Sequence, residues 1–80
     1  MGPPYSSRKL VNALTEMGYQ PGDRAGSHLK LRYVHPDTGE VRNVTIPIGR
    51  EIGGDTLRKI AEQCGANDFR SWCDWIDDHL

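Results

Sequence analysis

One stretch of the sequence decides the fold, residues 25–33: Ala25-Gly26-Ser27-His28-Leu29-Lys30-Leu31-Arg32-Tyr33. Apolar and polar side chains alternate strictly from Ser27 on, and this period of two residues predicts a half-buried β-strand. Successive side chains on a strand point to opposite faces, so the three apolar side chains share one face and the three basic ones share the other. Because the apolar face must turn inward, we expect the basic face to be open to solvent.

The open face of this strand carries His28, Lys30 and Arg32. The strand rise separates each of these side chains from the next by about 7 Å. Histidine can exchange a proton near neutral pH, and lysine and arginine both bind phosphate. Gly26, just before the strand, lets a ligand approach the backbone closely. The stretch therefore predicts a phosphate-binding face with a proton carrier at one end.

Length and charge limit the class of protein. Eighty residues form one small domain, which buries only about 60% of the surface that its unfolded chain exposes. The formal net charge is −1, but residues 1–59 carry nine Lys or Arg against six Asp or Glu, whereas residues 60–80 carry Arg70 against five carboxylates. A basic body with an acidic end fits a polyanionic partner that meets the body, and ordinary solvated surface explains the charge equally well.

The sequence predicts a cytoplasmic protein. No apolar run approaches the ~20 residues that a membrane span needs, and Met1-Gly2-Pro3-Pro4 does not resemble a signal peptide. Cys64 and Cys73 lack the spacing of metal ligands and fall on the apolar faces of two predicted helices. We therefore expect reduced core cysteines, with no disulfide, metal or other cofactor.

A helix is predicted before the strands. Residues 1–5 are expected to form a loose N-terminus, from which Tyr5 can pack on the helix as a hydrophobic staple. Ser6 is the predicted N-cap, and Gly18 lies just past the C-terminus. The apolar stripe of this helix is Leu10, Val11, Leu14 and Met17.

Three strands follow this helix. Residues 19–24 form a short strand or arm that Pro21-Gly22 confines to an edge or a bulge. The central strand covers residues 27–35, and the turn Pro36-Asp37-Thr38-Gly39 reverses the chain into a hairpin. After the return strand, residues 49–54 are expected to be a flexible connection.

The length of the turn predicts the register of the hairpin. With a turn of four residues, His35 pairs with Glu40, and Pro47 ends the return strand. The predicted pairs are Leu29–Ile46 and Leu31–Val44 on the buried face, and Lys30–Thr45 and Arg32–Asn43 on the open face. A slip of one residue would bury Lys30, which favours this register.

Two helices close the chain. Asp55 or Thr56 is the predicted N-cap of the second helix and Gly65 closes it, and Asn67 or Asp68 is the predicted N-cap of the third. The predicted apolar face of the second helix is Leu57, Ile60, Ala61 and Cys64, and that of the third is Phe69, Trp72, Cys73 and Ile76.

These elements define the fold class. Their order is α-β-β-β-α(-α), and residues 1–80 are expected to be a single domain in which residues 66–80 form an appended acidic helix. The class is α+β, with a three-stranded antiparallel sheet and helices on one face.

Three motifs in these elements resemble the HicA family of toxins, also called YcfA-like. The motifs are Gly26-Ser27-His28 at the strand entry, Thr56-Leu57-Arg58 with Ile60 at the start of the second helix, and Cys64-Gly65 at its end. The resemblance runs from about Ser6 to Gly65. It implies a fold like that of a double-stranded-RNA-binding domain. It also implies that the protein is the toxin of a type II toxin–antitoxin system and that this toxin cuts messenger RNA without a metal.

The resemblance also implies partners and a catalytic residue. A HicB-type antitoxin protein would restrain the toxin, which would be monomeric alone and hetero-oligomeric with the antitoxin. The motif histidine of the family corresponds to His28. Many members carry a second histidine directly after the first, where this chain has Leu29, and one after the proline that ends the third strand, where it has Ile48. Gly54-Asp55-Thr56 is also one residue longer than the usual Gly-Thr.

The chemistry that fits these residues is attack of a ribose 2′-hydroxyl on the adjacent phosphate, which needs a base, an acid and a stabilising charge. His28 would move the proton, while Lys30 and Arg32 would hold the phosphate. Further candidates for RNA contact are Gly26, Ser27, Arg8, Lys9, Arg24, Arg58 and Lys59, with Arg50 as an additional phosphate contact. Each of these cations, taken alone, is more often plain surface. His35 borders a turn and His79 lies in the tail, and neither is assigned to the site.

Two other functions remain as alternatives. One is a non-catalytic RNA-binding module with the same fold and the same basic face. The other is a protein–protein interaction domain that uses the aromatic C-terminal helix, in which Trp72 is expected in the core and Trp75 half-buried. Cleavage of RNA in EDTA and the salt dependence of affinity would distinguish these functions.

Overall fold

The computed structural model of the chain describes residues 2–80. Within that range it forms three helices, a three-stranded antiparallel sheet and a separate pair of two-residue strands. In chain order the elements are β1 (Tyr5–Ser6), α1 (Ser7–Glu16), β2 (Gln20–Ala25), β3 (His28–Val34), β4 (Val41–Pro47), β5 (Glu51–Ile52), α2 (Gly54–Gln63) and α3 (Phe69–Asp78). The predicted α+β class and element order are confirmed, with β1 and β5 as additions. Met1, part of the N-terminus predicted to be loose, lies outside the described residues.

The sheet has the order β2-β3-β4, so the strand that contains His28 is the central one. The two-residue turn Gly26-Ser27 joins β2 to β3, with Ala25 opposite His28. Gly26 has a φ of +60°, a left-handed conformation that such hairpin turns need and that glycine adopts at no steric cost. The turn therefore places His28 at the very start of the central strand.

The β3–β4 hairpin has the register that the sequence predicts. The backbone amide of His35 donates to the carbonyl oxygen of Glu40 at 2.8 Å, which closes the four-residue turn. The pairs that follow from it are Leu29–Ile46, Lys30–Thr45, Leu31–Val44 and Arg32–Asn43. All four agree with the prediction, so a local turn length determines which face each residue of the hairpin occupies.

The hydrophobic core lies between the inner face of this sheet and the helices. Its sheet side is formed by Leu31, Val44 and Ile46, each of which is fully buried. Its helix side is formed by Leu10, Ala13, Leu14, Leu57, Ile60, Ala61, Trp72, Cys73 and Ile76. The prediction that Leu29 is buried is wrong in degree. Its side chain is half-buried because it packs at the margin of this core, where the sheet meets the start of α1.

Strand β2 is an edge strand with a bulge, as Pro21-Gly22 predicts. The register against β3 shifts between Pro21 and Arg24, so Gly22 and Asp23 together oppose Lys30. A bulge of this kind increases the local twist and changes where the side chains of the strand point. All six residues of β2 are exposed, so its course follows from pairing with β3 rather than from burial.

The N-terminal segment is held in place at Tyr5, so the prediction that the loose segment extends as far as this residue is wrong. Tyr5 is buried and pairs with Ile52 in the small β1–β5 ladder. Its hydroxyl oxygen lies 3.0 Å from the carbonyl oxygen of Cys73 and 2.9 Å from Asp77 Oδ1. These partners lie 68 and 72 residues away in the chain, beyond the reach of any local sequence pattern.

The connection over residues 49–54, predicted to be flexible, is also tied down. Ser7 is buried, and its Oγ accepts hydrogen bonds from the amides of Gly49 at 2.9 Å and Arg50 at 3.3 Å. The Ser7 amide donates in turn to the Arg50 carbonyl oxygen at 2.9 Å. Pairing of β5 with β1 completes the attachment of this connection to the N-terminus.

The sequence predicts the N-cap correctly for two of the three helices. Ser6 caps α1 and Asp68 caps α3, each accepting a hydrogen bond from the backbone amide three residues on. Helix α2 begins at Gly54 with Gly53 as its N-cap, so the prediction of Asp55 or Thr56 as the cap is wrong, and no side chain caps this helix.

The three helices and the sheet are consistent with the fold of a double-stranded-RNA-binding domain. Cys64 and Cys73 are buried free thiols, as predicted, and burial raises the pKa of each thiol. Trp72 is in the core as predicted, and Trp75 is 47% exposed. In the described part of the chain, no helix has the length and hydrophobicity to cross a membrane.

Candidate nucleic-acid interface

The face of the sheet that points away from the core carries the three basic side chains of β3. His28, Lys30 and Arg32 are all exposed, and they alternate with the inward-facing residues as the sequence predicts. Among residues 2–80, no ion pair or hydrogen bond engages any of the three side chains. They are therefore available to a ligand without first breaking an internal interaction.

The neighbours of these side chains on β2 and β4 define four rows across the open face. In order along β3, the rows are Ala25–His28–Pro47, Lys30–Thr45 with the bulge of β2 beside it, Gln20–Arg32–Asn43, and Val34–Val41. Directly paired residues share a face of the sheet. The open face, defined by these rows, thus changes along β3 from ionisable side chains to amides and then to aliphatic side chains.

The surroundings of His28 leave room for a large ligand. A Cβ atom built on Gly26, at the adjacent turn, would meet nothing within 4 Å. The carbonyl oxygen of Ser27 accepts a hydrogen bond from the Ile48 amide at 2.7 Å, which fixes the turn to the end of β4. His28 therefore lies at an open end of the sheet, and the turn of Gly26 and Ser27 beside it is hydrogen-bonded to the end of β4.

Asp23 is a residue that sequence reasoning missed. The bulge places it opposite Lys30, so a carboxylate at the edge of the sheet lies beside the basic side chains of β3. Asp23 is exposed, and no ion pair within 4.0 Å joins it to Lys30 in the described residues. Pro21-Gly22 signalled the bulge itself, but the identity of the residue opposed to Lys30 depends on the register of β2 against β3.

The four candidate cations of the helices belong to elements on the other side of the sheet from the open face, and their predicted contacts with RNA stay predictions. Arg8 and Lys9 lie in the first turn of α1, and Arg58 and Lys59 lie in α2. Both helices pack on the inner face of the sheet, opposite the open face. The Arg58 guanidinium also lies 4.3 Å from the centre of the Phe69 ring, a cation–π contact that gives it a structural role.

Arg24 is also separated from the open face. It pairs with Leu29, whose side chain points to the inner face, so the register assigns Arg24 to that side. Its Nε atom donates to the carbonyl oxygen of Gly26 at 3.2 Å. Arg24 thus braces the turn before His28, and its predicted contact with RNA stays a prediction.

The other two histidines are engaged elsewhere. His35 Nδ1 accepts hydrogen bonds from the amides of Asp37 and Thr38, at 3.1 and 3.2 Å, inside the hairpin turn. His79 Nδ1 lies 2.8 Å from the carbonyl oxygen of Trp75, at the end of α3. His28 is the histidine of the open face. The contacts of His35 and His79 agree with the prediction that neither belongs to the site.

Two positions at which many family members carry histidine meet in one cavity. Leu29 and Ile48 line a cavity of about 300 Å³ together with Arg8 and Val11. Its lining is mainly aliphatic, and it lies beside the start of α1 rather than on the open face. In this chain the cavity offers no imidazole, because both positions carry aliphatic side chains.

A larger cavity of about 570 Å³ lies far from His28, between the end of α2 and α3. Arg42, Cys64, Trp72 and Trp75 are among the residues that line it. Burial raises the pKa of the Cys64 thiol, which keeps it protonated and unreactive. In the part of the chain that the structure describes, no group of three or more His, Cys, Asp or Glu side chains could hold a metal ion.

A known protein family matches most of this chain. The family model described as HicA toxin of bacterial toxin–antitoxin matches residues 7–66 of this chain. No curated protein and no solved structure matches the chain. The match covers α1, the sheet and α2, and it ends before α3 begins at Phe69.

Proposed function

Because the chain belongs to the HicA toxin family of bacterial toxin–antitoxin systems, we propose that it is an endoribonuclease that cuts messenger RNA with His28. The observation that carries the proposal is the line of exposed side chains His28, Lys30 and Arg32 along one face of the central strand. These three side chains combine a proton carrier with two groups that bind phosphate, which is what transesterification of RNA requires.

In the proposed reaction, the ribose 2′-hydroxyl attacks the adjacent phosphorus atom. A bond forms between O2′ and phosphorus, the bond from phosphorus to O5′ breaks, and the products are a 2′,3′-cyclic phosphate and a 5′-hydroxyl. One group takes the proton of the 2′-hydroxyl, and another gives a proton to the departing O5′. His28 carries one of these protons, the positive charge of Lys30 stabilises the phosphorane, and Arg32 holds the RNA backbone farther along the strand.

The second proton carrier is assigned to Asp23. His35 and His79 make their contacts in the hairpin turn and at the end of α3, and the positions of the other family histidines are aliphatic here. Asp23 opposes Lys30 from the bulge of β2, one row from His28. An Asp carboxylate can serve as a general base, which leaves His28 as the general acid.

The proposal includes cleavage without a metal ion and control by a partner protein. Both follow from the family resemblance. The partner is a HicB-type antitoxin that covers His28 and the rest of the open face, so that RNA and antitoxin compete for the same side of the sheet. The protein alone would be a monomer, and it would form a hetero-oligomer with the antitoxin.

The test is the fate of a long RNA incubated with the purified protein in EDTA. The proposal expects cleavage, 2′,3′-cyclic phosphate ends on the products, and no cleavage at a position where the ribose is replaced by 2′-deoxyribose. Expression of the protein should also stop growth. Binding without cleavage would instead support the non-catalytic RNA-binding module, and cleavage of the deoxy-substituted position would exclude the 2′-hydroxyl mechanism.

A further inference from the structure

We infer that the amides of Gln20 and Asn43, on either side of Arg32, select the base of a nucleotide that flanks the cleaved bond. The inference rests on the ribonuclease function proposed above. It adds to that function the part of the open face that distinguishes one RNA sequence from another.

The three side chains form a straight row across the sheet, one from each strand. Gln20 pairs with Arg32, and Arg32 pairs with Asn43. Since neighbouring strands lie about 4.8 Å apart, the backbone positions of the row span about 10 Å. All three residues are exposed, and within residues 2–80 neither side-chain amide has a hydrogen-bond partner. Nothing inside the protein accounts for two amides at these positions.

The chemistry of an amide suits a base better than a phosphate. Asn and Gln each present an acceptor oxygen beside two donor hydrogens, whereas phosphate oxygens only accept hydrogen bonds. The acceptor oxygen of an amide therefore finds no hydrogen-bond donor on a phosphate. A base edge offers a donor beside an acceptor, and the N6 and N7 atoms of adenine match Asn or Gln with two hydrogen bonds. The charge of Arg32 can hold the backbone while the amides on either side read the base.

The position of the row indicates a flanking nucleotide. Arg32 lies four residues beyond His28 on the same strand, which separates their Cα atoms by about 13 Å. The next row contains the exposed aliphatic pair Val34 and Val41. Aliphatic surface favours the face of a base over a charged phosphate, because only the base gains by leaving water. The open face thus has a phosphate end at His28 and a base end at Val34.

The experiment measures the binding of labelled twelve-nucleotide RNAs made of adenosine, uridine or cytidine only. All proteins carry His28→Ala so that the RNA stays whole. The reference protein should bind the adenosine RNA more tightly than the other two, by roughly 5- to 150-fold for one amide that makes both hydrogen bonds. Asn43→Ala or Gln20→Ala should lower this ratio, whereas the control Asn12→Ala, on the exposed side of α1, should not change it.

Two outcomes would overturn the inference: no preference in the reference protein, or a preference that survives both amide substitutions. Maps of the cleavage sites made with active protein separate this result from the fate of the proposed function. If the wild type cuts RNA and Asn43→Ala cuts at the same sites with the same frequencies, the inference fails and the nuclease stands. If the wild type does not cut but the binding ratio responds to both amides, the nuclease fails and the base-reading row stands.

Discussion

Lys30 lies directly opposite Thr45 across strands β3 and β4, with the Leu31–Val44 pair next to it on the other face. This pairing fixes the direction of every side chain in the hairpin, because a shift of one residue exchanges the two faces. The same register therefore buries Leu31 and exposes His28. The stability of the fold and the composition of the open face depend on one alignment.

Replacement of His28 by alanine should abolish RNA cleavage and leave the fold intact. The side chain is exposed, so its removal opens no cavity, and the loss of one acid–base group typically lowers a rate by about 10²- to 10⁴-fold. Rates are measured on a long RNA, and folding is checked by circular dichroism. His79→Ala is the matched control and should cut normally. A folded His28→Ala protein that cuts at the wild-type rate would remove the open face from the mechanism.

Replacement of Lys30 by alanine should weaken RNA binding and reduce its salt dependence. Each contact with a phosphate of single-stranded RNA contributes a slope of roughly −0.7 to log K against log salt concentration, so one such increment should disappear. Lys59→Ala removes a cation of α2, on the other side of the sheet, and should leave the slope unchanged. The slopes are measured by fluorescence anisotropy in a His28→Ala background. Equal effects of the two substitutions would mean that RNA also contacts the helices.

Leu31→Ala should strongly destabilise the protein. Leu31 is fully buried in the core, and a change from a large to a small core residue costs about 2–5 kcal/mol. Leu29→Ala should cost clearly less, because Leu29 is only half-buried. Denaturant unfolding of both variants measures the difference. Equal losses of unfolding free energy would show that Leu29 carries as much of the core as Leu31.

Gly65→Ala should destabilise the protein, and part of the cost should depend on Arg42. Gly65 has a φ of +77°, which disfavours other residues, and the Arg42 guanidinium occupies the place of the missing Cβ while Nη1 donates to the Cys64 carbonyl oxygen. We expect a loss of more than about 1 kcal/mol in the wild type and a smaller loss when Arg42→Ala is already present. A double-mutant cycle with no coupling would show that backbone conformation alone requires glycine here.

Acid should weaken the attachment of the N-terminus to α3 through Asp77. The hydrogen bond from the Gly2 amide, at 3.0 Å, and that from the Tyr5 hydroxyl hold the pKa of Asp77 below its usual range. A carboxylate with a lowered pKa in the folded state stabilises the protein above its unfolded pKa, and this contribution is lost as the pH falls through the folded value.

Asp77→Asn should therefore flatten the decline of unfolding free energy below about pH 5. Asparagine keeps an acceptor oxygen but has no charge to lose. The control is Asp78→Asn, which changes an exposed carboxylate one position along α3 and should keep the wild-type profile. Denaturant unfolding between neutral and acidic pH gives both curves. Identical acid dependence in wild type and Asp77→Asn would show that Asp77 does not support the attachment.

Local spacing in the sequence determined the open face of β3, the register of the hairpin and two helix caps. Strict alternation around Leu31 required one buried and one exposed face, and the four-residue turn before Glu40 left one register that kept Lys30 out of the core. Ser6 and Asp68 cap their helices by accepting hydrogen bonds from backbone amides three residues further along the chain. Each of these features depends on residues that are close in the chain, so a pattern in the chain reveals it.

The tertiary structure alone decided which other groups meet. Tyr5 is anchored by residues 68 and 72 positions away, and Ser7 holds a connection 42 positions away. The bulge places Asp23 opposite Lys30, and packing of the helices on the inner face separates Lys59 from His28. Such contacts form when distant segments pack to bury apolar surface, a process that is not directional. Local patterns in the sequence therefore do not predict which polar groups that packing brings together.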